Sequence, residues 1–347
     1  MTREEAIAAG MEVHEIKHSM KRRTPWHDYS RKGTYMLTLV VEGRVPLFGE
    51  LKGNAEAPLG TPDAPRVDCS ELGRTILSDE ISKVNRFYPQ VEVWQLCVMP
   101  DHLHMIVRVK EDMGEGKHLG YVVRGFKAGC SKAWWRLTGV ETPGTVTASR
   151  GTTVPEVSTS AERRSLFEPG YCDKILMHEG QLDNWKHYLD DNPRRLMMKR
   201  QSPELFTVLT GMDVAGERCQ VVGNRFLLDI PDKVAVIVHR RYTDEENARL
   251  REEWLACGER GGVLVSAAIS PKEKEVLREA MNRGYNIILL RENGFPKLYK
   301  PAGEAFDACA EGVLLQISPW EFHMEKKVIT RAQCLHLNAM AERIAEH

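Results

Sequence analysis

Two histidines stand two residues apart in Met99-Pro100-Asp101-His102-Leu103-His104-Met105-Ile106-Val107, within a run of strand character. Alternate residues of a strand face the same side, so both imidazoles can converge on one point. Imidazole nitrogens gathered at a point are ligands for a divalent metal. With 12 His in 347 residues a His-x-His pair is expected roughly 0.4 times by chance, so the motif alone also fits a structural or exposed pair. A second group lies far along the chain in His187-Tyr188-Leu189-Asp190-Asp191-Asn192-Pro193. Tyr188 and Asn192 are one helical turn apart, so the phenol, a nucleophile, and the amide, an oxygen ligand, share a face. The ordinary alternative is a helix-terminal tyrosine with Asn192 as a carboxy-terminal cap, because Pro193 disfavours helical geometry in the residue before it.

Several elements must position these groups. Gly33 to Val41 is β-branched and aromatic and reads as a first strand. Residues 53–66, with several prolines, read as a loop, and Leu72 to Phe87 as a helix. Val91 to Cys97 and His102 to Val109 form a hairpin turning at Pro100-Asp101. Leu119 to Leu137 is an amphipathic basic helix carrying Arg124, Lys127, Lys132 and Arg136, with Trp134 and Trp135 as surfaces for stacking on an unpaired base. Its ordinary alternative is a helix that simply covers the sheet. A strand is expected over Tyr171 to Met177, and the tyrosine helix from Gln181 is expected to stop near Asn192.

In this order, the elements and motifs resemble the single-tyrosine HUH transposases, in the branch of the REP-associated tyrosine transposases. The matching stretches are Met99 to His104, Tyr188 to Pro193, Arg124-Gly125-Phe126-Lys127, and Leu166 to Ile175, and the resemblance spans about residues 30–200. It implies an α+β domain with a ferredoxin-like or RRM-like antiparallel sheet and helices. It further implies a Mg²⁺ or Mn²⁺ ion held by His102, His104 and Asn192, with Tyr188 as the nucleophile that forms a 5′-phosphotyrosine link. The implied activity is that of a DNA nickase and strand-transferase, rejoining DNA without ATP. The implied substrate is single-stranded DNA with a hairpin, a REP-like palindrome, and the implied assembly is either a homodimer or a monomer. Arg194 and Arg195, beside the tyrosine motif, join Arg124, Lys127, Lys132 and Trp134 as candidate DNA contacts. The acceptor of the phenol proton stays open between water, His187 and His178. Two other functions remain: a non-catalytic hairpin-binding regulator, and a metal hydrolase with water as nucleophile.

The expected organisation is an α/β chain: a basic arm over residues 1–32, a catalytic domain over 33–200 with a flexible insertion at 138–165, a linker over 201–220, and a second domain over 221–347. In the last, strands alternate with helices, which predicts a doubly wound parallel sheet. It lacks Gly-x-Gly-x-x-Gly and the Walker loop. Ser270-Pro271 opens a helix beyond a strand, a standard start that is also a place where phosphates sit. The region loosely resembles the Rossmann-like fold of DNA-processing proteins of the DprA type, which leaves single-stranded DNA binding, nucleotide binding or structural support as its roles. Forty-eight Lys plus Arg balance 49 Asp plus Glu, so any basic surface must be local, as at Lys21-Arg22-Arg23. Eight scattered cysteines read as reduced thiols. No run of roughly 18 apolar residues predicts a membrane span, and a cytoplasmic, nucleoid-associated protein is expected.

Overall fold

The computed structural model describes residues 3–11, 13, 24, 27–139, 164–239, 241–325 and 328–346. Lys21-Arg22-Arg23 and nearly all of the expected insertion lie outside the described residues. The chain divides into two units, Met1–Met197 and Met198–His347.

In chain order the first unit contains α1 (Arg3–Ala8), β1 (Gly33–Val40), β2 (Gly49–Lys52), β3 (Arg66–Cys69), α2 (Glu71–Thr75), α3 (Ile81–Phe87), β4 (Val91–Met99), β5 (His102–Val109), α4 (Leu119–Leu137), β6 (Cys172–Ile175) and most of α5 (Gln181–Gln201). One π turn joins α2 to α3. The sheet runs β4-β5-β1-β6, antiparallel throughout, with β2-β3 as a separate hairpin that the proline-rich composition concealed. Strand parity sorts the residues. Tyr35, Leu37 and Leu39 of β1 join Leu103, Met105, Val107 and Val109 of β5 in a core covered by α2, α3 and α4. Met36 and Ile106, pointing the other way, pack under Trp185 and Leu189 of α5. Helices thus cover both faces. The expected arm contributes to the core, through Ala6 and Tyr29. The Tyr29 phenol stacks on Tyr35 and donates to the Asp173 carboxylate at 2.6 Å.

The second unit contains β7 (Leu209–Val214), β8 (Glu217–Gly223), β9 (Lys233–Ala235), α6 (Asp244–Glu259), β10 (Val263–Ser266), α7 (Pro271–Asn282), β11 (Asn286–Leu290), α8 (Glu304–Ala310), β12 (Leu314–Ser318) and α9 (Arg331–Glu346). Its sheet order is β7-β8-β12-β11-β10-β9. The four strands from β9 to β12 are parallel, and the β7-β8 hairpin extends them antiparallel. Leu264, Ile287 and Leu314 pack with α6, α7 and α8, while Val263, Val265, Ile288 and Leu315 pack with α9 on the opposite face. The alternating pattern over 233–346 therefore builds the expected parallel sheet with helices on both sides. Residues 209–223, expected largely as linker, instead form two strands of that sheet.

Candidate active site

His102 and His104 lie on the α5 side of β5, where the sheet register sets His104 opposite Thr38 of β1 and Cys97 of β4. Their rings meet edge to face with Nε2 atoms 3.2 Å apart. Each Nδ1 is engaged. His102 Nδ1 is 2.6 Å from the Asp101 carboxylate and His104 Nδ1 is 2.9 Å from the Thr38 hydroxyl. A carboxylate only accepts, so His102 carries its proton on Nδ1 and turns the Nε2 lone pair inward, the arrangement a metal-ligating imidazole needs. Burial, reinforced by His102, holds the His104 imidazole well below its usual range.

Asp101 is buried and is met on its other oxygen by the Arg44 guanidinium at 3.3 Å. Arg44 sits at φ +60, a left-handed conformation that costs a residue with a Cβ about 1–2 kcal/mol. The turn is closed by backbone bonds from Val41 N–H to Asp101 and from Arg44 N–H to Val41. In the sequence Asp101 is visible only as a turn residue, and nothing marks Thr38 or Arg44 as part of the site. Only the strand register brings Thr38 beside His104.

Helix α5 brings the tyrosine. Trp185 and Leu189 bury against Met36 and Ile106, and Gln95 at the β4 bulge donates to Asp190 at 2.6 Å, fixing the helix on the sheet. The Tyr188 ring then lies 5.6 Å from that of His104. Contrary to the expectation from Pro193, the helix does not stop at Asn192. Pro193 is internal, and the run Arg194 to Gln201 has good helix formers, with Leu196 and Met197 buried, so packing outweighs the lost amide. Asn192 is therefore no cap. It is a buried mid-helix residue whose amide nitrogen has no hydrogen-bond partner among the described residues. Two imidazole Nε2 atoms facing each other and a buried, underused amide on the tyrosine helix fit a divalent ion with nitrogen and oxygen donors.

Asp191 holds Arg194 through two hydrogen bonds, one of 2.9 Å, and lies 3.9 Å from Arg195. Arg195 is buried with its guanidinium 5.7 Å over the Tyr188 ring, so it faces the phenol rather than open solvent. The other candidate DNA contacts are not brought to the site, because α4 covers the opposite face of the sheet. Lys127 donates to the carbonyls of Glu168 and Gly170 at 2.5 and 2.9 Å, tying down the approach to β6. Trp134 packs partly against the core. Arg124 and Lys132 are exposed, with Arg124 over the Tyr121 ring. His187 is exposed, away from the face that Tyr188 presents to His104.

In the second unit, the start of α7 is already filled. Glu273 is buried and accepts from the backbone N–H groups of Val238, Ile269 and Ser270 at 2.9, 2.7 and 3.0 Å. A phosphate at that helix end would meet this carboxylate.

The first unit thus defines a class of site: two strand imidazoles and a helix phenol gathered on one face of an antiparallel sheet. Comparison with known proteins gives these likenesses. A REP-associated tyrosine transposase bound to a REP hairpin is similar over 50% of this chain and 73% of its own, with 16% identity and a TM-score of 0.29. DNA processing protein A from Helicobacter pylori, whose single-stranded DNA binding has been described, is similar over 40% of this chain and 65% of its own, with 19% identity and a TM-score of 0.30. An uncharacterized protein of Haemophilus influenzae is 24% identical over a stretch covering 35% of this chain and 70% of that protein. No family model matches the chain. No described helix is long and apolar enough to cross a membrane.

Proposed function

We propose that the chain is a metal-dependent single-stranded DNA endonuclease and strand-transferase of the transposase type, with Tyr188 as its nucleophile. The observation that carries this reading is the meeting of the Tyr188 ring with His104, whose Nε2 faces that of His102 at 3.2 Å. Residues far apart in sequence, each weak evidence alone, come together in the combination that the chemistry requires.

His102 and His104, with Asn192 as third ligand, would hold Mg²⁺ or Mn²⁺. Bound there, the ion would supply Lewis-acid stabilisation of charge on a phosphate oxygen. The phenol oxygen of Tyr188 attacks the phosphorus in line, forming the tyrosine O–P bond as the P–O3′ bond breaks. The 5′ side becomes a phosphotyrosine ester. The 3′ oxygen leaves with a proton, and the phenol proton passes to water. Because the ester keeps the energy of the broken bond, a later 3′-hydroxyl can attack it and rejoin DNA without ATP. Thr38 and Asp101 fix the imidazoles, and Arg195 lies over the phenol. The substrate class in this reading is a single strand bearing a hairpin, and the carboxy-terminal unit is a Rossmann-like domain that supports or binds that DNA.

The test is a denaturing gel of labelled hairpin-bearing single strands with Mn²⁺. Wild type is expected to leave label covalently on the protein, and Tyr188→Phe to leave none. An adduct that persists in Tyr188→Phe, or DNA product without any adduct in wild type, removes the proposal.

A further inference from the structure

We infer that Lys174 is a further catalytic residue, its ammonium placed to contact the scissile phosphate from the sheet side while Tyr188 attacks from α5. The inference rests on the reading of Tyr188 as nucleophile. The sheet register carries the placement. Met36 of β1 pairs with Lys174 of β6 on one side and with Ile106 of β5 on the other, so these three form one row across the sheet. The adjacent row is Cys172, Thr38, His104 and Cys97. Met36 and Ile106 belong to the cluster under α5, and residues in one row point the same way, so Lys174 projects from the face that bears His104. Strand spacing of about 4.8 Å and a rise of about 3.4 Å per residue put the Lys174 and His104 Cα atoms roughly 12 Å apart. A lysine stem spans much of that distance, and a phosphate held near the imidazoles spans the rest.

What distinguishes Lys174 from the other cations nearby is that it is uncommitted. Arg44 is held by Asp101, and Arg194 and Arg195 by Asp191. No hydrogen bond or ion pair engages the Lys174 ammonium among the described residues, and the residue is exposed although Cys172, its neighbour on that face of β6, is partly buried. An exposed charge on an edge strand also guards against edge-to-edge pairing. That role predicts aggregation on removal, not a selective loss of chemistry, so the two are separable.

The experiment compares wild type, Lys174→Met and Lys174→Arg in single-turnover adduct formation with Mn²⁺, alongside calorimetric Mn²⁺ affinity and binding of a hairpin strand to the Tyr188→Phe background. Lys174→Met is expected to slow adduct formation by about 10²- to 10³-fold, the effect of removing one preorganised charge donor. Mn²⁺ affinity should stay the same within about twofold, with Lys174→Arg recovering most of the rate. An unchanged rate in Lys174→Met overturns the inference and leaves Tyr188 standing. A rate loss matched by an equal loss of Mn²⁺ affinity, or a variant that only aggregates while its monomeric fraction keeps the wild-type rate, also overturns it. Absence of any adduct in wild type removes the Tyr188 reading and this inference together.

Discussion

At the scale of single residues, the site depends on which nitrogen of each imidazole carries the proton. Asp101 settles this for His102 by accepting from Nδ1 at 2.6 Å, and Arg44 settles Asp101 from the other side. Asp101→Asn keeps the shape but lets an amide N–H approach Nδ1. The proton then moves to Nε2 and blocks the lone pair that the proposed ion would use. Mn²⁺ affinity measured by titration calorimetry is expected to fall about 10- to 100-fold, the usual effect of removing such a partner. An affinity equal to wild type would show that Asp101 does not govern the tautomer. This relay was half legible in the sequence. His102 and His104 stood out by spacing and Asp101 was in view, but its partners come from a strand and a turn some sixty residues earlier. Nothing in Thr38 or Arg44 as residue types marks them, since Thr38 is ordinary strand material and Arg44 becomes a site residue only through a strained backbone angle.

At the scale of elements, parity and periodicity carried most of what could be read. The β5 alternation, imidazoles to one face and Leu103, Met105 and Val107 to the other, is written in the sequence and is what the fold uses. The end of α5 was misread because Pro193 is a local signal, whereas burial of Leu196 and Met197 beyond it is not. At α7, the Ser270-Pro271 start was legible, but Glu273 reads there as only one side of a capping box. Its carboxylate also accepts from Val238, beyond β9, and thereby joins two parallel strands at their carboxyl ends. Glu273→Ala would leave three backbone N–H groups without their acceptor. Each bond to a charged group contributes about 1.5–3 kcal/mol, so a loss of at least about 3 kcal/mol is expected for the second unit, read by urea denaturation. Glu273→Gln, which keeps an acceptor oxygen, should lose less. Equal stability of all three proteins would mean that the buried carboxylate does not organise these loops.

At the scale of the whole molecule, the change of pattern after about residue 220 gives no sign of where the chain divides. The division falls inside α5, and the stretch taken for a linker is the β7-β8 hairpin. The turn between those strands places Ala215 at φ +49 and Gly216 at φ +80, a conformation normally announced by Asn-Gly. An alanine in the first position hides the signal, and the Asp213 side chain supplies the missing polar contact by accepting from Gly216 N–H at 3.1 Å. Each unit has cores of its own, with His102, His104 and Tyr188 on the first. Chemistry that belongs to the first unit should therefore survive damage to the second. Leu315 is fully buried between β12 and its neighbours, and Leu315→Ala should cost the second unit about 2–5 kcal/mol. Calorimetry is expected to show one transition moving down while the other stays, with adduct formation below the lower transition equal to wild type. If the adduct is lost in step with that lower transition, the second unit takes part in the reaction. Its role would then be sought in binding the strand on which Tyr188 is proposed to act.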